Sequence, residues 1–181
     1  AYPCTELFEK EQITEIYGAH NLPGFTFGQV YTRTGTFACG SEGMTLKFHG
    51  KATHAAYPEN GLSPAHAVGE LLRQVPESLP PEHYPGMGRC TVIVVQMGEK
   101  AFGAAAADAE VWLTLRAEHE KDLELLRETV WRTAKDLAGV DGLGVEMEEQ
   151  DVFPATENDP GCAAKVMERC NGKPLEVPMR W

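Results

Sequence analysis

The order in which the hydrophobic period changes limits this chain more than any other feature. Met44, Leu46 and Phe48 alternate with Thr45, Lys47 and His49, the period of a strand with one buried face. Gly50 ends that run. Ser63 then supplies a hydroxyl N-cap and Pro64 a first-turn proline. Val68, Leu71, Leu72 and Val75 follow on one helical face, and Pro76 with the Pro80–Pro81 pair stops the helix. Cys90 to Met97, CTVIVVQM, is apolar and β-branched almost throughout, the pattern expected of a strand buried on both faces. Val111, Leu113 and Leu115 alternate with Trp112, Thr114 and Arg116 in another strand. Between Glu118 and Ala138 the spacing of Leu123, Leu126, Val130, Ala134 and Leu137 becomes helical, with Gly139 and Gly142 as terminators. Val145 and Met147 alternate with Glu146 and Glu148 in a last strand.

Strand, helix, strand, strand, helix, strand is the order of the ferredoxin-like βαββαβ fold. It belongs to the α+β class: a four-stranded antiparallel sheet with two helices on one face. The reading gives a central domain over residues 44–153, with flanking segments 1–43 and 154–181. Ala1 to Tyr17 is mixed in character. His20 to Gly43 is rich in turn signals, and Cys162 to Cys170 reads as a short helix.

Composition narrows the class of function. With 27 acidic against 16 basic residues the formal charge is −11, so nucleic acid and anionic membranes are not expected partners. No apolar run approaches the roughly 18 residues of a membrane span. The five cysteines, Cys4, Cys39, Cys90, Cys162 and Cys170, are odd in number and form no CxxC pair. Reduced thiols in a cytoplasmic protein fit that pattern better than a disulfide framework or a zinc knot.

Among the six histidines, His49, His66, His83 and His119 lie in strand, helical or loop contexts with no cluster around them, and read as structural. His20 and His54 sit in Gly- and Pro-rich loops beside regular elements, where functional residues collect. One histidine cannot hold zinc, which takes three or four ligands. Ser41, between glycines in CGSEG, lacks a strand-to-helix elbow. No HExxH, GxSxG, phosphate-binding loop or dinucleotide fingerprint is present.

Several stretches resemble one family. IYGAHNLPGFTFGQV is similar to the segment around a metal-ligand histidine in the zinc amidohydrolases that include aminoacylase, hippurate hydrolase, carboxypeptidase G and the auxin-conjugate hydrolases. LKFHGKATHAAYPENGLSPAHAV resembles the signature of their dimerisation, or lid, domain, and GEKAFGAAAADAEVWLTLRA the hairpin that follows it. FPATENDPG and PLEVPMRW resemble the return to the catalytic domain.

The resemblance implies a segment leading out of the catalytic domain (1–43), a lid domain (44–153) and the start of the return (154–181). It implies that His20 is one ligand of a pair of divalent metal ions, zinc or else manganese. It implies that His54 stabilises the substrate oxyanion across a homodimer formed through the lid, and that Arg116 grips the substrate carboxylate. The reaction implied is hydrolysis of the amide bond in an N-acyl amino acid or small peptide. Where the family has Asn-Val-Ile-Pro, this chain has Gly103, Ala104, Ala105 and Ala106. The acidic metal bridge, the glutamate pair and the last ligand histidine have no counterpart in it. The chain alone is therefore expected to bind no metal tightly and to be inactive. The alternative reading is a non-catalytic ferredoxin-like dimerisation or binding module. Which strand forms the dimer edge is left open.

Overall fold

The computed structural model describes residues 5–77 and 81–180, and the chain divides into two compact units. Cys4 and the Pro80 stop signal lie outside the described residues.

The larger unit spans 38–156 with 178–181. Its elements are β1 (Gly40–His49), α1 (Ala65–Glu77), β2 (Gly88–Met97), β3 (Asp108–Ala117), α2 (Glu120–Asp141) and β4 (Gly144–Phe153). The sheet order is β2-β3-β1-β4, and every neighbouring pair is antiparallel. This is the ferredoxin-like arrangement expected from the order of periods. On β1, Met44, Leu46 and Phe48 are fully buried; on β3, so are Val111, Leu113 and Leu115. The register pairs Met44 with Leu113 and Leu46 with Val111, so one face of the two central strands forms a continuous apolar surface. Leu71 and Val75 of α1 and Leu123, Leu126 and Val130 of α2 belong to the same core. A methylene or two removed from such a position leaves a void, which is why Leu→Ala changes in cores typically cost about 2–5 kcal/mol.

Two local signals act as the sequence reads, whereas Pro76 does not stop α1, which runs on to Glu77. Ser63 Oγ accepts from Ala65 N at 3.4 Å at the start of α1. Gly142 closes α2 in the left-handed conformation, at φ 68°, and its N–H reaches back to the last turn. Gly139 lies inside that helix instead of ending it.

Two readings of the strands change. First, β1 begins at Gly40, earlier than the alternation suggested, because Glu42 takes a core-facing position and breaks the apolar pattern. Second, β2 is an edge strand and is not buried on both faces. Val92, Ile93, Val95 and Met97 are 39%, 55%, 43% and 43% exposed. A register shift between Val92 and Val94 places Ile93 in a bulge.

The smaller unit, 1–37 with 157–177, holds a short helix at Thr5–Lys10 and a parallel pairing of Tyr31–Thr32 with Lys173–Pro174. It also holds a helix at Pro160–Arg169, close to the expected 162–170. Asp159 caps that helix, its Oδ1 accepting from Cys162 N at 2.9 Å.

Glu42 is the costly feature of the core. Its residue is 2% exposed and Oε1 has no partner among the described residues. Burial pushes its carboxyl above the ordinary carboxylate range, opposed by Arg127, whose Nη1 stands 4.0 Å from Oε2. An acid whose native value is raised binds its proton more readily when folded. Its destabilising effect therefore sets in as pH rises past the ordinary carboxylate value and is complete above the native one. Arg127→Met keeps the aliphatic stem and removes the compensating charge. It should cost about 2 kcal/mol at neutral pH. The loss should shrink toward about pH 4, where Glu42 is protonated. Urea unfolding across that range measures both; a loss independent of pH would contradict the role given to Glu42.

Candidate functional site

His54 stands on a small hairpin-like projection at the far end of β1. Gly50 turns the chain out of the strand, its N–H donating to the Ala107 carbonyl at 2.7 Å. Lys51 and Leu62 then exchange two backbone hydrogen bonds of 2.9 Å, closing the 51–62 loop at its base. Thr53–His54 pairs with Ala104–Ala105, and Ala55 N donates to the Gly103 carbonyl at 3.0 Å. Thr53 Oγ1 donates to the Tyr57 carbonyl at 3.0 Å, bracing the turn from inside.

This scaffold fixes the imidazole. The backbone N–H of Ala56 donates to His54 Nδ1 at 3.1 Å. A nitrogen that accepts carries the lone pair, so in the neutral ring the proton sits on Nε2, on an exposed side chain. His54 thus presents an N–H donor. The Tyr57 ring lies 6.2 Å away, centroid to centroid, and is itself exposed. Beside His54, a Cβ added at Gly103 would meet nothing within 4 Å, so that position borders open space.

His20 lies in the smaller unit and is exposed. Its Nδ1 is 2.8 Å from the Asn21 carbonyl, which can only accept. The proton is therefore on Nδ1 and the lone pair on Nε2, opposite to His54. An Nε2 lone pair is what a metal ion takes from neutral imidazole. Among the described residues, however, no group of three or more His, Cys, Asp or Glu side chains could hold a metal ion.

Arg116 is on the sheet face opposite the helices, where Nη1 donates to the Arg180 carbonyl at 3.0 Å. It stands near the Gly40 end of β1, with Ser41 as its partner across the pair. His54 is beyond the other end, past His49 and Asp108. At about 3.3 Å per strand residue, the run from Asp108 to Arg116 alone separates them by roughly 25 Å. The structure therefore does not bring His54 and Arg116 of one chain together.

Two of the remaining histidines pair with carboxylates. His66 Nδ1 is 3.0 Å from Asp141 Oδ2 and His49 Nδ1 is 3.1 Å from Asp108 Oδ1. Ser41 is inside a strand. Cys90, Cys162 and Cys170 are free thiols, and burial pushes Cys90 up to about 12, away from nucleophilic chemistry. The sequence reading did not single out Tyr57 or Arg89. Only the fold places Tyr57 against His54 and Arg89 across from Arg116.

Residues 38–141, more than half of the chain, match the peptidase dimerisation domain of the M20 family. The chain belongs to this family. Among curated relatives of this dimerisation domain, an N-acetyldiaminopimelate deacetylase of Streptococcus thermophilus is 28% identical over 166 residues, 89% of this chain and 43% of the relative. A hippurate hydrolase of Campylobacter jejuni is 22% identical over 153 residues, 84% of this chain and 40% of the relative. The chain thus spans less than half the length of the curated relatives it matches. Two solved structures share the fold. One is a dinuclear metal-binding peptidase of the M20 family from Bacillus subtilis, with a TM-score of 0.68 at 17% identity. It is matched over 88% of this chain and 40% of its own. The other, an aminobenzoyl-glutamate utilization protein from Klebsiella pneumoniae, has a TM-score of 0.74 at 19% identity over 89% of this chain and 42% of its own.

Gly50 is where this dimerisation domain is least tolerant of a side chain. A Cβ there would lie 2.0 Å from the Leu62 carbonyl oxygen and 3.0 Å from that of Ala107. Gly50→Ala should cost about 3 kcal/mol and displace the His54 projection. Thermal unfolding with an NMR readout of the His54 ring measures both; an unshifted ring in a stable variant would show that Gly50 does not set the projection.

Proposed function

We propose that this chain is the lid segment of a homodimeric metal-dependent amidohydrolase acting on N-acyl amino acids or small peptides. In this reading two chains build each active site. The observation that carries it is the separation of His54 and Arg116 to opposite ends of the sheet. Arg116 lies at the end where the chain joins and leaves the larger unit, because β1 starts there and β4 finishes there. His54 lies at the far end. If both serve one substrate, Arg116 acts in its own subunit and His54 in its neighbour's.

The residue chemistry supports the roles. Arg116, always charged, binds the substrate carboxylate. The Nε2–H of His54 donates to the carbonyl oxygen as negative charge develops on it. Removing a comparable oxyanion donor typically costs about 3 kcal/mol in the barrier. His20 supplies one ligand to a divalent metal pair, zinc or manganese, whose other ligands are outside this chain. When bound, such a pair polarises the carbonyl and lowers the pKa of a bound water. Without those ligands the chain alone is inactive.

The homodimer forms through β2. Among the described residues no strand pairs with the outer edge of β2 or of β4. β4 carries Glu146, Glu148, Glu149 and Asp151, so two copies of that edge would set carboxylates against one another. β2 offers Val92, Ile93, Val95 and Met97 with Arg89 as its one charge. An antiparallel meeting of two β2 edges about a two-fold axis satisfies their unpaired backbone groups and buries those side chains.

Two measurements test this reading. The 181-residue chain should sediment as a dimer at micromolar concentration, and Ile93→Glu should give a monomer of unchanged fold; a monomeric parent would count against the β2 interface. In the full-length enzyme, His20→Ala should lose metal and activity together, while His54→Ala should keep its metal and lose most of kcat. Mixed dimers of the two dead variants place both lesions on one composite site and leave the other intact. Activity should return toward half of wild type. Confirmed subunit exchange with no recovery would refute action of His54 in trans.

A further inference from the structure

The open face of the sheet is charge-matched at one end and mismatched at the other. At the matched end Lys47 Nζ lies 2.6 Å from Glu148 Oε1, and Lys47 also stands opposite Glu110 and Glu146 in the register. His49 meets Asp108 in the next row. At the other end the register sets Arg89 of β2 directly opposite Arg116 of β3. Like charges facing each other across an antiparallel pair destabilise it. Carboxylates are not scarce, with 27 acidic residues in the chain. Yet neither guanidinium meets one among the described residues; Arg116 gives one donor to the Arg180 carbonyl and Arg89 gives none.

What surrounds the pair is suited to oxyanions. Thr91 stands opposite Thr114 on the same face, one row along, and Ser41 lies on the other side of Arg116. Three hydroxyls therefore share the patch with the two cations. Arg89 is exposed and Arg116 is half-buried. Arg89 projects from the open face of the sheet, beside Arg116, and not along the β2 edge used for pairing.

We propose that Arg89 and Arg116 together form a site for a ligand carrying two carboxylates, so that the parent protein's substrates are N-acyl derivatives of acidic amino acids. This rests on the reading of Arg116 as the carboxylate-binding residue and adds a second, specificity-determining cation. Two fixed positive charges call for two negative ones. Directly opposed side chains diverge from Cβ atoms about 5 Å apart. That spacing suits an α-carboxylate and a side-chain carboxylate joined by two or three carbons. Arginine remains charged at every working pH and receives a carboxylate through two parallel N–H donors. One guanidinium would hold the α-carboxylate common to all N-acyl amino acids, and Arg89 would select the second.

The 181-residue chain itself provides the test, followed by NMR of the arginine Nε–H resonances at low ionic strength. The probes are N-acetylglutamate and its neutral counterpart N-acetylglutamine. N-acetylglutamate should bind about tenfold more tightly, and added salt should erase the difference. Arg89→Gln should abolish the preference, bringing N-acetylglutamate to the level of N-acetylglutamine. Arg89→Lys should keep part of it, and Arg116→Gln should weaken both ligands. No preference in the parent chain, or a preference that survives Arg89→Gln, would overturn the proposal. Whether the full-length protein hydrolyses any N-acyl amino acid is a separate measurement and bears on the amidohydrolase reading alone. A chain that discriminates the two probes while the full-length protein hydrolyses neither would sink that reading and leave the site standing.

Discussion

The register between β1 and β3 is the constraint on which the rest depends. It sets Met44 opposite Leu113 and Leu46 opposite Val111, so that one face of the central pair is wholly apolar. Side chains alternate strictly along a strand, and a slip of one residue would turn that surface to water. With the register fixed, α1 and α2 have one place to bury their own apolar faces. The other face is then left to Lys47, Trp112, Arg116 and their neighbours. The same register sets Arg116 opposite Ser41, and starts the projection bearing His54 beyond His49. Core packing and the disposition of the candidate site are thus consequences of one pairing.

His54 and His20 show how a neighbouring backbone group can assign a role to a chemically identical side chain. A backbone N–H points at Nδ1 of one and a carbonyl at Nδ1 of the other. The first ring is left with a donor at Nε2, the second with a lone pair. Neither arrangement needs another titratable group. The His54 arrangement depends on a short local turn, which is why glycine at position 50, with no space for even a methyl group, matters to a residue four positions away.

The order of elements was legible in the sequence because each element has its own period, and periodicity is a local property. The Gly142 cap and the Ser63–Pro64 helix start were legible for the same reason. The place of a strand within the sheet is not local. CTVIVVQM reads as an interior strand, yet it lies at the edge, because apolar content reports burial of some kind and cannot say whether this chain or another provides it. The start of β1 was missed because Glu42 occupies a core position that alternation assigns to an apolar residue. The two loop histidines stood out by their Gly- and Pro-rich settings. Arg89 did not, since its neighbour across the sheet is set by a register that includes a bulge at Ile93.

The carboxylates of β4 have an effect that reaches beyond one molecule. A sheet with two adhesive edges is the seed of an endless ribbon, since each arriving copy exposes a fresh edge for the next. Here the sheet order gives every copy one edge of each kind, apolar β2 and acidic β4. When two copies meet through β2, both outer rims are β4, and growth halts at the pair. Glu146, Glu148, Glu149 and Asp151 would then act as terminators of assembly, holding the oligomer to a fixed size by mutual repulsion.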